Sequence, residues 1–193
     1  MSCILKKELN SQRYSALALA NLSTTVSAQV KIIQAGAIRP LITLALDTNA
    51  QIEGRRYSVL ALANLSATTG NHLTILEEGG LQALFALCNS PDLMSQYYCG
   101  CALANLACSP ANHHLMVEQG GLQAVITLAH SADPDVHQQA AAALRGLAVT
   151  FSNKMKIVQE GALNPLNTLL ISQDIEILRE VAACLSNLGN LPS

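Results

Sequence analysis

The chain has 193 residues, half of them apolar and 12% charged, with a formal net charge of −2. No basic excess draws it to nucleic acid or to an anionic membrane, and no apolar run approaches the 18 or so residues of a membrane span. Trp is absent and there are only two Phe and four Tyr, so aliphatic residues and Ala must build the core, which suits close helix packing better than a sheet.

The opening Met1-Ser2-Cys3-Ile4 has no leader-peptide pattern, and Ser2 stands where myristoylation requires Gly. Residues 1–26 read as one long helix with a short lead-in, ending in Ala18-Leu19-Ala20-Asn21-Leu22. The same five residues return as Ala61-Leu62-Ala63-Asn64-Leu65 and Ala102-Leu103-Ala104-Asn105-Leu106. Weaker copies follow at Ala143-Leu144-Arg145-Gly146-Leu147 and Cys184-Leu185-Ser186-Asn187-Leu188. The first asparagines stand 64 − 21 = 43 and 105 − 64 = 41 positions apart. A period of roughly forty residues marks a stacked solenoid, in which each unit packs only on its neighbours.

Four full units follow the opening helix, at about 27–69, 70–110, 111–151 and 152–190, within a single domain spanning 1–193. Each reads as a short, a medium and a long helix. The first junction falls at Gln34-Ala35-Gly36-Ala37-Ile38, Glu77-Glu78-Gly79-Gly80-Leu81, Gly120-Gly121 and Gln159-Glu160-Gly161-Ala162-Leu163. Gly there suits a sharp turn with φ > 0 or backbone crowding that excludes a Cβ. Pro40 and Pro165 fall in the first turn of the middle helix, where a missing N–H does little harm. In the third unit Leu122, Val125, Ile126, Leu128 and Ala129 recur at helical spacing. Ser131-Ala132-Asp133-Pro134-Asp135 then breaks the chain with an Asp cap and a first-turn Pro, and equivalent breaks surround Asp92 and Asp174.

On the long helix, Leu stands two before and one after the repeating Asn: Leu19/Leu22, Leu62/Leu65, Leu103/Leu106, Leu144/Leu147 and Leu185/Leu188. At about 100° per residue these positions lie roughly opposite the Asn. The leucines are expected to form a buried spine between units. Asn21, Asn64, Asn105 and Asn187, with Gly146 as a gap, share the other face with the residues four and seven before them. Four before stand Leu17, Leu60 and Cys101, then Ala142 and Ala183; seven before stand Tyr14, Tyr57 and Tyr98, then Gln139 and Glu180. Arg13 and Arg56 precede two of the tyrosines and could favour an acidic or phosphorylated ligand.

A three-helix unit with Gly after its short first helix, a Gly-Ala-Leu-x-Pro-Leu middle helix and a long Ala-Leu-x-Asn-Leu helix resembles the armadillo repeat. The segment Lys154-Met155-Lys156-Ile157-Val158-Gln159-Glu160-Gly161-Ala162-Leu163-Asn164-Pro165-Leu166 carries the resemblance most closely. It implies an all-α, right-handed superhelix that acts as a protein-interaction scaffold. It further implies a concave groove, lined by the third helices, in which the asparagines hold an extended peptide by its backbone. An amide offers both donor and acceptor for that purpose. On this reading alanine at Asn64 and Asn105 would abolish binding and leave stability nearly unchanged. The alternative is that the asparagines bond neighbouring turns of backbone. Nuclear-import adaptors of this family typically carry Trp four before the ladder; this chain has none. A nuclear-transport adaptor and a regulatory domain of a larger protein remain the rival readings.

The chain enters part-way through a unit and ends straight after a third helix without a polar cap. It is therefore expected to be a fragment of a longer protein, or to self-associate through its ends. Six cysteines mostly replace small or aliphatic residues of other units: Cys99 aligns with Ser15, Ser58, Ala140 and Val181, and Cys184 with Ala18, Ala61 and Ala102. They read as small buried hydrophobes in a reducing, intracellular compartment, cytoplasmic or nuclear. Cys99, Cys101, Cys108, His113 and His114 suggest zinc. However, Cys99 and Cys101 lie about 200° apart around a helix and cannot share an ion. No catalytic constellation and no phosphate loop is present, so neither an enzyme nor a cofactor is expected.

Overall fold

The computed structural model describes residues 3–190, with side chains from Glu8 onward. Met1 and Ser2, on which the leader and myristoylation readings rest, lie outside the described residues. Helix α1 (Cys3–Leu22) opens the chain. Four triplets follow: α2 (Val26–Gln34), α3 (Ile38–Leu46) and α4 (Ile52–Ser66); α5 (His72–Glu77), α6 (Gly80–Cys88) and α7 (Leu93–Ala107); α8 (His113–Glu118), α9 (Gly121–Leu128) and α10 (Pro134–Leu147); α11 (Phe151–Gln159), α12 (Leu163–Leu169) and α13 (Ile175–Gly189). Single 3-10 turns, Thr69–Asn71 and Pro110–Asn112, lead into α5 and α8.

The first junction of every unit has a left-handed glycine: φ is 71° at Gly36, 92° at Gly79, 83° at Gly120 and 87° at Gly161. A side chain there would be strained whatever space surrounds it. Two units place a second glycine next in sequence. A Cβ on Gly80 would lie 2.7 Å from the Ile75 carbonyl oxygen, and one on Gly121 would lie 2.8 Å from that of Met116. Those units start their middle helix one residue earlier than the units carrying Ala37 and Ala162. At the second junction an aspartate accepts from the first turn: Asp92 from Ser95 N at 3.0 Å, Asp133 from Asp135 N at 2.9 Å and Asp174 from Glu176 N at 2.8 Å. Each satisfies one of the amides that a helix start leaves unpaired. Helix α4 begins behind Gln51 with no side-chain cap.

The long helices α1, α4, α7, α10 and α13 pack one on the next as a continuous layer. Helices α3, α6 and α9 stack as a second layer, each against the long helix of its own unit. One apolar cluster runs through both layers. Leu62, Leu65, Leu103, Leu106, Leu144 and Leu147 are fully buried in it, at 0% exposure. The spine is weaker at its two ends. Leu22 is 56% exposed and Leu19, Leu185 and Leu188 are half-buried, because α1 and α13 have a long-helix neighbour on one side only. Burial in a solenoid is set by adjacent units, so equivalent residues differ in weight along the stack. Among the described residues no helix is long and apolar enough to cross a membrane.

Leu103→Ala is expected to cost about 2–5 kcal/mol by leaving a cavity between three long helices. Leu22→Ala should cost less than about 1 kcal/mol, because more than half of its side chain already meets water. Urea unfolding followed by circular dichroism compares the two.

Candidate functional site

An α-helix leaves its last four carbonyls without internal partners. The long helices solve this with side chains from later in the chain. At the end of α4, Ala63 O accepts from Asn105 Nδ2 at 3.3 Å, Leu65 O from Asn71 Nδ2 at 2.9 Å and Ser66 O from His72 Nε2 at 2.7 Å. Helix α1 repeats the scheme with Asn64 Nδ2 on Ala20 O at 3.0 Å and Gln29 Nε2 on Ser23 O at 2.9 Å. At α7, Asn112 Nδ2 bonds Leu106 O and His113 Nε2 bonds Ala107 O, both at 2.8 Å. At α10, Asn187 Nδ2 bonds Arg145 O and Asn153 Nδ2 bonds Leu147 O, both at 3.1 Å.

Asn64, Asn105 and Asn187 therefore tie α4, α7 and α13 each to the long helix before it. Their amide nitrogens also reach a serine: Asn64 to Ser23 Oγ and Asn105 to Ser66 Oγ, both at 3.1 Å. The donor half that the sequence reading assigns to a ligand is committed to the scaffold. Alanine at Asn64 or Asn105 would take one donor from a carbonyl that keeps a second, Ser23 Oγ on Ala20 O or Ser66 Oγ on Ala63 O, both at 2.7 Å, and would take the amide donor from that hydroxyl, so a modest loss of stability is expected rather than none. No hydrogen bond from a described residue reaches Oδ1 of Asn64, Asn105 or Asn187, and these residues are half-buried rather than sealed. Asn21, on the first long helix, has no earlier helix to bond and is exposed. Gly146 interrupts the series together with the serine: Ala107 stands at the place that Ser23 holds after α1 and Ser66 at the end of α4. A Cβ at Gly146 would lie 2.5 Å from Ala107 O. The backbone of α10 fills the place of the missing amide.

A second polar column lies eight residues after the first, at Gln29, His72, His113 and Lys154. All four are buried. Each reaches forward to the end of the next long helix. Gln29 Oε1 accepts from Thr68 Oγ1 at 2.7 Å, His72 Nδ1 accepts from Asn112 Nδ2 at 2.7 Å, and His113 Nδ1 meets Thr150 Oγ1 at 2.6 Å. Lys154 Nζ donates to Asn190 O at the end of α13, where a cation also suits the helix dipole. The carbonyl on Nε2 and the amide donor on Nδ1 fix the His72 tautomer with its hydrogen on Nε2. The column shows in the sequence as polar residues at a fixed place in each unit, a signal hidden when His113 and His114 are weighed together as metal ligands. His113 is spent on the scaffold, while His114 is exposed beside Glu118 at 3.4 Å.

The face that carries the asparagines also carries Leu17, Leu60 and Cys101, all half-buried, and the tyrosines. Tyr14 is 59% exposed, with the Arg13 guanidinium 4.6 Å from its ring centre and donating to its hydroxyl at 2.8 Å. Tyr57 is half-buried. Tyr98 is half-buried against the core and meets Tyr97 edge-on at 5.6 Å. Burial pushes the Tyr98 hydroxyl up, so it stays a protonated donor near neutral pH. Arg56 is not free for a ligand. Its Nε and Nη2 grip both oxygens of Asp92 at 2.8 and 2.6 Å, with little of either side chain exposed. Burial alone would raise the Asp92 carboxyl, but the hydrogen bonds from Arg56 and Ser95 outweigh it and hold the group below its ordinary value. Arg145 likewise holds Glu180 at 2.5 Å. Burial pushes the Cys99 thiol well up, raises Cys101, and takes Cys184 to about 12. None of the three is a ready thiolate.

Residues 109–149 and 150–189 each match the model of the Armadillo/beta-catenin-like repeat. No curated protein matches the chain. Among solved structures, an engineered protein superposes with a TM-score of 0.84 at 30% identity, over 93% of this chain and 74% of that one. A designed armadillo repeat protein follows at 0.82 and 26% identity, over 91% and 74%. Another, in complex with the peptide (KR)4, gives 0.83 and 25% identity, over 92% and 75%.

His72→Gln is expected to keep the stability of the native chain, because Gln29 makes both bonds at the equivalent place. His72→Leu strands Ser66 O and the Asn112 amide and should cost about 1–3 kcal/mol, read by chemical denaturation. The lowered Asp92 carboxyl gives an acid dependence of definite sign. Its contribution is full above the unfolded aspartate value of about 3.9 and is lost as pH falls through the lower folded value. Asp92→Asn should remove that acid-dependent increment from melting curves taken between about pH 6 and 2.

Proposed function

We propose that this chain, which belongs to the armadillo-repeat family, is a protein-interaction scaffold whose third helices form a groove for an extended peptide segment. The observation that carries this reading is the unclaimed Oδ1 of Asn64 and Asn105. Scaffold bonds hold each amide by its nitrogen and fix its orientation, so the oxygen stands ready for the N–H of a ligand backbone. The groove thus reads a peptide by accepting hydrogen bonds, and the ligand's own carbonyls turn to the tyrosine hydroxyls or to water. Similarity to a designed armadillo repeat protein in complex with a peptide supports the same class of partner.

Each backbone bond nets about 1 kcal/mol, so two or three of them fall short of the roughly 8 kcal/mol that micromolar binding needs. Side-chain contacts must supply the rest. Tyr57, Leu60, Tyr98 and Cys101 offer partly exposed apolar surface between the two asparagines' helices. Tyr brings large contact area at low entropic cost. Gly146 removes one rung, so the segment is held best over α4 and α7.

The tyrosines, not the asparagines, give the cleaner test, because the asparagines also brace the stack. Selection of a random octapeptide phage library on the intact chain should enrich sequences that bind at about micromolar Kd. Tyr57→Ala with Tyr98→Ala should weaken the enriched peptides by about tenfold or more while the helical far-ultraviolet spectrum is kept. A library that yields no binder, or binders indifferent to both substitutions, would refute the groove.

A further inference from the structure

Resting on the groove reading above, a further inference concerns which segments it takes. A ladder of amides is indifferent to side-chain charge; the charges that flank it are not. On the face shared by the asparagines, the residues four before them carry no charge. Seven before them stand three tyrosines, Gln139 and Glu180. Two carboxylates near this surface are already neutralised from within the chain. Asp92 is gripped at both oxygens by Arg56 across the α4–α7 boundary, and Glu180 is held by Arg145 across the α10–α13 boundary. In both pairs the guanidinium comes from one unit and the carboxylate from the next. Each pair spends the acid that a basic ligand would seek and the base that an acidic ligand would seek.

The remaining charges lie toward the starts of the long helices, where Glu176 and Arg179 of α13 pair with each other. Glu53 and Asp135 sit in the first turns of α4 and α10, one helical turn beyond the tyrosine level. Arg13 stands at the far end over Tyr14 with no carboxylate partner among the described residues. Between them the surface is phenol, thiol, aliphatic and amide.

We infer that the segment this groove accepts is uncharged across α4, α7 and α10, with aliphatic or aromatic side chains seated against Tyr57, Leu60, Tyr98 and Cys101. Arg56 and Arg145 act as internal counter-ions that close the groove to Lys- and Arg-rich segments. Burying a ligand cation there would require it either to displace a two-point guanidinium grip or to lie desolvated without a partner, and both are costly. In this the chain differs from its designed relative, whose ligand is (KR)4.

The test compares charge preference between the native chain and Arg56→Ala/Arg145→Ala, which frees both carboxylates. The probes are labelled (KR)4, read by fluorescence anisotropy, and the random octapeptide library. The native chain should enrich peptides poor in Lys, Arg, Asp and Glu and bind (KR)4 at least about tenfold more weakly than those peptides. The double variant should gain about tenfold for (KR)4 and keep its affinity for the neutral peptides within about twofold. Arg56→Lys, which retains a counter-ion, should stay closed to (KR)4 and guards against an effect of altered folding. Native enrichment of Lys- and Arg-rich peptides overturns the inference and leaves the groove intact. Equal (KR)4 binding by the native chain and the double variant overturns the counter-ion role. Failure of every peptide to bind sinks the groove and this inference together.

Discussion

The stack depends on how it disposes of the carbonyls at the ends of its long helices. Each end is buried between two units, where an unbonded carbonyl would cost about 1–3 kcal/mol. Three side-chain families meet the need: the repeating asparagine of the next long helix, an asparagine six residues after the carbonyl it bonds, and the Gln or His at the position that follows it. Because the first of these crosses the boundary, satisfying the backbone and stacking the units are the same act. Neighbouring units are locked in register by polar bonds, while the leucines supply the less directional attraction.

That arrangement shapes the surface available to a partner. An amide held by its nitrogen cannot swing, so the oxygens of Asn64, Asn105 and Asn187 are each presented at a fixed angle. Where the amide is missing, at Gly146, the backbone of α10 comes up against Ala107, too close to admit a Cβ. The charged groups follow the same logic. Arg56 with Asp92 and Arg145 with Glu180 join successive units, and in doing so remove charge from the face they border. Asp92 serves twice, since it also accepts from Ser95 at the start of α7. The same pairs therefore both join the units and underlie the neutrality proposed for that face.

Much of the fold was legible in the residues. Turn arithmetic on the Ala-Leu-x-Asn-Leu segments sends the leucines inward, and the junction glycines adopt the positive φ that their place requires. The asparagines were recognisable as special but only half interpreted. A helix wheel places Asn64 on the open side of its own helix; it says nothing of Ala20 O on the preceding one. Arg56 shows the same limit. Beside Tyr57 it reads as a free cation, and its partner Asp92 lies 36 positions away in the chain. The buried column of Gln29, His72, His113 and Lys154 is faint in the sequence because its members differ in type and share only a position.

The sequence by itself determined the period, the three helices of each unit, the turns between them and the inward face of each long helix. These follow from local rules: backbone sterics at Gly, capping at Asp and the 3.6-residue turn. Tertiary structure alone decided which polar groups remain open to a partner. Hydrogen bonds and ion pairs that cross unit boundaries join residues some 35 to 44 positions apart, and whether a donor is spent or free depends on what the adjoining unit places beside it.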